Sequence, residues 1–478
     1  SQHAALGSGS LAVADPSSST LGGGAGLCGS CGGGGGGYGG GYGGGGNRGG
    51  GGSGAAPGGR RRSPWYRSPV PLAAICAVIV IIGGGAFFLV GHNGGTGGHT
   101  GGAGTSASCT SSAPSTKTID LKSDNVQTGP SPFAVRESAD GKYSFVSVKD
   151  GIEVRLNQPG RAPKILRTIS VPGANKGLAI TSNGQYLLSA NGQGAVVINA
   201  ANAESGASPM LLGTMAAPSL SKKGNNAVGV QVTPDNNFAF VTMQNTTKMA
   251  VFNLTKAISS GFQKGYFVGL VPLHVQPVGI SSPSKSSPWI YVTSFERNDT
   301  GHRPSVGTLS VISWQKAETQ PGKSVKTTVN AGCSPARVVL TGNGADVWVT
   351  ARDSNSLLAF SAAKLVTDPG HALLADIPVG PGPIGLSPAE GGKKLIVADS
   401  NYATSNNGKT GTDGQLAIVD TADVLNHKPI VIQLVEAMGQ PRQVTQAPGD
   451  VLLVTEQNPR DAPHEPGQLQ QVNIAKLP

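Results

Sequence analysis

The chain has 478 residues, of which 73 are glycine and 33 proline; 13% are charged, and the formal net charge is +10. Of the charge, +4 sits before residue 70, which leaves +6 spread thinly over the rest without the dense basic cluster and stacking aromatics that nucleic acid demands. The five cysteines include Cys28 and Cys31 at redox or metal spacing, but a lone pair without a second pair or histidines makes no metal set, and no Cys-x-x-Cys-His run is present to attach haem.

Residues 1–69 hold pure glycine runs at Gly32–Gly37 and Gly43–Gly46, too poor in apolar side chains to offset the entropy of ordering. They are expected to form a disordered tail. From Val70 to Val90 no charge occurs over a length that suits a bilayer-crossing helix. Arg60, Arg61, Arg62 and Arg67 precede this run and no charge follows until Lys117, so the positive-inside rule places the tail in the cytoplasm and all that follows outside, at a single-pass cell-membrane protein. Trp65 and Tyr66 stand where an interfacial aromatic belt would, and the length and internal position of the run distinguish it from a cleaved signal peptide. Residues 91–116 read as a Gly/Ser/Thr tether. Cys109 in that tether and Cys333 far beyond it would both face the oxidising side, where a disulfide between them and two free thiols both stay open.

Beyond residue 117 one phrase recurs: a turn signal, an apolar run, a polar turn, then hydrophobic-Val-Thr/Ser/Ala. Its apolar marker falls at positions 146, 188, 241, 292, 349, 397 and 454. Those spacings suit blades of four antiparallel strands, and seven units bury in a ring the faces that one unit cannot. Asp140-Gly141, Asn183-Gly184, Asn343-Gly344 and Pro448-Gly449 mark the hairpins, while Val, Ile, Phe, Tyr and Thr crowd the runs between them. The reading is an all-β, seven-bladed β-propeller over 117–478. The last unit ends on a strand at Gln468–Ile474, so Thr116–Leu121 is expected to return as its outer strand and remove the exposed edge.

The phrase Pro335-Ala336-Arg337-Val338, then Asn343-Gly344, Val347-Trp348-Val349-Thr350 and Leu357–Phe360, resembles the YVTN-repeat β-propellers, relatives of the lactonase-type seven-bladed propellers. The likeness rests on packing and turn residues and implies fold far more than function.

Two groups of side chains are candidates for binding. Arg136, Lys176, Arg337 and Arg442 lie in or beside the innermost strands, opposed by Glu137, and would make the channel attractive to a small anion. Long polar loops on one rim add Glu296, Arg297, His302, Arg460, Asp461 and His464. The positive balance disfavours a divalent metal, and no nucleophile elbow, phosphate-binding loop or zinc-helix motif occurs, so no catalytic residue, metal or cofactor is expected. The functional reading is a monomeric, membrane-anchored binding module for a small anion or a cell-surface protein or glycan; a lactonase-like hydrolase and a structural envelope protein are the alternatives.

Overall fold

A computed structural model describes Cys109 and residues 111–296, 305–401, 413–458 and 465–477. The expected tail, membrane run and most of the tether lie outside these residues; among the described residues no helix is long and apolar enough to cross a membrane.

The strands form seven sheets in chain order, an all-β seven-bladed propeller. The blades span 135–170, 178–216, 227–272, 277–333, 335–378, 383–436 and 440–473. Within a blade, each strand pairs antiparallel with the next, and the hairpins turn where the dipeptides predict. At Asn343-Gly344 both residues adopt positive φ, 56° and 92°, which Asn and Gly tolerate better than other residues.

The recurring hydroxyl after Val has a structural task. The Thr242 Oγ1 accepts the N–H of Gly229 in its own blade at 2.9 Å and donates to the Val278 carbonyl of the next at 2.9 Å. Thr293 does the same between Gly279 and Ala336, and Thr350 between Arg337 and Ile384. Ser147 links Ala134 to Lys176, and Thr455 closes the ring by donating to the Phe133 carbonyl at 2.9 Å. Each hydroxyl satisfies two inner-strand groups that would otherwise be buried unpaired. Ala398 in blade 6 has no hydroxyl, and the buried Ser189 of blade 2 makes no such bond; there the Gly177 N–H reaches the Val228 carbonyl directly.

Blades 2 to 6 each insert a helix of four to six residues between the third strand and the fourth, capped by Asn199, Asn253, Ser313, Ser361 and Asp420, whose side chains accept a backbone N–H three residues on. Blade 1 has none, which accounts for the short first repeat.

Ring closure differs from expectation. Thr116–Thr118 (β1) pairs parallel with Ile432–Leu434, as a fifth strand of blade 6. The outer strand of blade 7 is instead Ser123–Pro130 (β2), antiparallel to the strand Pro466–Asn473 with Val126 opposite Leu469. Ile119 and Leu121, whose apolar character suggested a strand, pack against the core between blades 6 and 7. Apolar clusters fill the seven blade interfaces, and the one at the seam between blades 7 and 1 is the smallest: Val135, Val146, Val148, Ala447, Leu453 and Leu469.

A polar latch supplements that seam. Arg155, wholly buried, lies 2.6 Å from Glu153 and donates to the carbonyls of Gln127 at 2.7 Å and Pro163 at 3.0 Å, while Glu153 accepts the Gly129 N–H at 2.6 Å. Gln127 and Gly129 belong to β2, so blade 1 grips the outer strand of blade 7. Upstream, Cys109 is disulfide-bonded to Cys333, at the end of blade 4's outer strand, across 224 residues of sequence.

Candidate anion site in the central channel

The innermost strands all run in the same sense through the ring, so a residue's place along its strand sets its depth. Where they begin, Phe133 presents its ring to three cations: the Lys176 Nζ lies 6.0 Å from its centroid, the Arg337 guanidinium carbon 5.2 Å and that of Arg442 5.8 Å. The ring's negative face offsets part of the mutual repulsion. Arg136 stands deeper on blade 1, donating to its neighbouring Val135 carbonyl at 3.1 Å and to the Thr445 hydroxyl of blade 7 at 3.4 Å. Lys176, Arg337 and Arg442 thus meet at the Phe133 ring, and of the four expected channel cations Arg136 and Arg337 line the cavity beyond it.

Their charges perturb one another. Arg337 is pushed down to about 10 by burial and then by the charges of Arg442 and Arg136. Burial lowers Arg136 to about 10, and burial followed by the Arg442 charge lowers Lys176. All four side chains nonetheless keep partial access to solvent along the channel. Among the described residues no carboxylate lies within ion-pair distance of Arg136, Lys176 or Arg337. Glu137, set against them in the sequence, turns instead to the Asn157 amide, and burial raises it to about 7 against the effect of that bond.

Below the Phe133 layer lies a cavity of about 410 Å³ to which all seven blades contribute, Arg136 and Arg337 among its walls. It extends toward the hairpins that follow the inner strands of blades 4 and 5, away from the rim that carries the long loops.

Of the rim candidates only Glu296 is described. Its backbone adopts φ 54°, and its carboxylate pairs with His274 Nδ1 at 2.9 Å, a bond that raises the imidazole pKa. Arg297, His302, Arg460, Asp461 and His464 lie outside the described residues. Two buried carboxyls that the sequence did not single out sit on this rim. Asp399 accepts the Gly380 N–H at 2.9 Å and Glu456 that of Met438 at 2.9 Å, each holding the connection into its own blade. Burial raises both to about 8, so both are largely protonated at neutral pH. Phe133, the centre of the cationic layer, was also missed; a lone aromatic next to a strand reads as core until its neighbours from other blades are known.

No family model matches the chain, and no curated protein matches it. Among solved structures, hydrazine synthase of Kuenenia stuttgartiensis is similar at 14% identity and a TM-score of 0.53, over 73% of this chain and 97% of that one. The Cps50 (Swd1) β-propeller domain of Myceliophteria thermophila is similar at 12% identity and 0.51, over 74% of this chain and all of that one. At such identities the likeness concerns the propeller fold alone.

Proposed function

We propose that this chain is a membrane-anchored, extracytoplasmic binding module of the YVTN-repeat type whose channel takes small anions. The observation that carries the reading is the convergence of Lys176, Arg337 and Arg442 on Phe133 above Arg136, positive charge concentrated at a low-dielectric funnel. Among the described residues Arg136, Lys176 and Arg337 have no carboxylate within ion-pair distance, as a group held only for stability would. The described cavity lining carries no carboxylate, histidine or cysteine, which favours holding an anion over the lactonase-like alternative, since hydrolysis needs a group to move a proton. The cell-surface part of the reading is supported by the arginine-flanked apolar run at residues 70–90 and by the Cys109–Cys333 bond, a linkage that persists in oxidising compartments.

The test is thermal unfolding with sulfate or phosphate at rising ionic strength. Anions should raise the melting temperature at low salt and lose effect as chloride screens the site over about 8 Å at physiological strength. Arg337→Gln with Arg442→Gln should abolish the rise while leaving the fold intact. Equal stabilisation of both proteins would overturn the reading.

A further inference from the structure

The cavity under the cationic layer is built in three zones. At its inner end stand the guanidinium groups of Arg136 and Arg337. Beside and beyond them the wall is aliphatic, from Leu178, Val230, Ile280, Val338 and Leu386 of five different blades, each 1–8% exposed with most of its side chain in the clusters between blades, and from the half-buried Val339 and Leu340 of blade 5. At its outer end the blade 4 hairpin supplies Ser282, Ser284, Ser286 and Ser287, with the hydroxyls of Ser284 and Ser286 2.8 Å apart. No carboxylate among the described lining residues would repel an anion along the way.

An inorganic anion would use the first zone only and leave the aliphatic walls facing water. A volume of about 410 Å³ falls within the range of pockets that enclose small organic molecules, which combine an apolar body with a few fixed polar contacts. Guanidinium groups present planar paired donors that match a carboxylate. We propose that the channel recognises an amphiphilic organic carboxylate, its head group at Arg136 and Arg337 and its apolar body along the aliphatic belt toward the serine hairpin. The assignment rests on the anion-binding reading and adds the ligand class.

Octanoate is the probe, with acetate as a head group lacking the body, 1-octanol as a body lacking the charge, and sulfate as the inorganic control. Melting temperature and calorimetric titration should report octanoate binding on the order of tenfold or more tighter than acetate, since several methylene groups leave water. Octanol should give little. Gln231→Trp places an indole in the cavity from a half-buried position whose polar contacts are to the Ile280 carbonyl and Ser282. It should reduce octanoate to the level of acetate and leave the sulfate effect unchanged. Ser286→Trp, at the exposed lip, supplies the same block should the first variant fail to fold.

If sulfate stabilises the protein and octanoate binds no better than acetate, the ligand class is wrong and the anion site stands. Failure of every anion, sulfate included, defeats both. Octanol matching octanoate would mean an apolar cavity without head-group recognition, and would overturn the proposal.

Discussion

Blade 1 carries two arginines, Arg155 and Arg136, whose surroundings differ. Glu153 and Arg155, on its third strand, neutralise each other and fill their remaining bonding capacity with the backbone of β2 and Pro163. Arg136, on its innermost strand, donates to the Val135 carbonyl and the Thr445 hydroxyl, near three further cations gathered on the Phe133 ring. A buried pair with satisfied hydrogen bonds fixes geometry, and at this seam it fixes the strand that closes the ring. Like charges gathered in one place repel one another, and in Arg337 this lowers the guanidinium pKa beyond the effect of burial.

The comparison is sharpest in substitution. Arg155→Ala leaves Glu153 charged and buried, and should cost about 3–5 kcal/mol in chemical denaturation. Arg337→Gln should leave the denaturation midpoint unchanged or raise it, because it removes repulsion. If both substitutions destabilise alike, the channel cations are structural and the distinction fails.

Next in size is the covalent tie. Cys333→Ser should lower stability by about 2–4 kcal/mol, since the bond restrains a long stretch of the unfolded chain. Reduction of the wild type by dithiothreitol should reproduce the shift, and an unchanged melting curve would show that β1 and β2 hold the strap unaided.

Buried acid groups give a third contrast, this time in pH. Asp399 and Glu456 ionise near 8 in the folded chain and near 4 when unfolded, so between those values the unfolded chain has released protons that the folded one keeps. Stability should be fully present below about pH 4 and fall through that window, at most about 1.4 kcal/mol per pH unit for each group. Asp399→Asn keeps an acceptor for the Gly380 N–H and should flatten the fall, making the variant the more stable protein at pH 9. A parallel pH profile for both proteins would place the ionisation elsewhere.

The smallest effect separates the two N-terminal strands. Deleting Thr116–Thr118, exposed along its whole length, should change stability by under about 1 kcal/mol. Removing Ser123–Pro130 should expose the edge at Pro466–Asn473 and promote aggregation. Equal behaviour of the two deletions would mean that the blade 7 edge is protected by other means.

The sequence by itself determined the propeller and the number of its blades. Strand periodicity, hairpin dipeptides and the recurring Val-Thr are local properties, each dictated by backbone sterics or by one hydroxyl bridging to the next blade. It also placed Arg136, Lys176, Arg337 and Arg442 in or beside innermost strands, because that position is readable from the repeat. Only tertiary structure decided which N-terminal segment closes the ring. Ser-Asp-Asn-Val-Gln-Thr-Gly-Pro has little strand character, and what selects it is the Glu153–Arg155 latch on a neighbouring blade and the register against Val472 and Leu469. Tertiary structure likewise paired Cys109 with Cys333, brought Phe133 beneath cations from three other blades, and opened the cavity toward the serine hairpin rather than the long-loop rim. Each of these depends on distances between residues far apart in the chain, which no local pattern encodes.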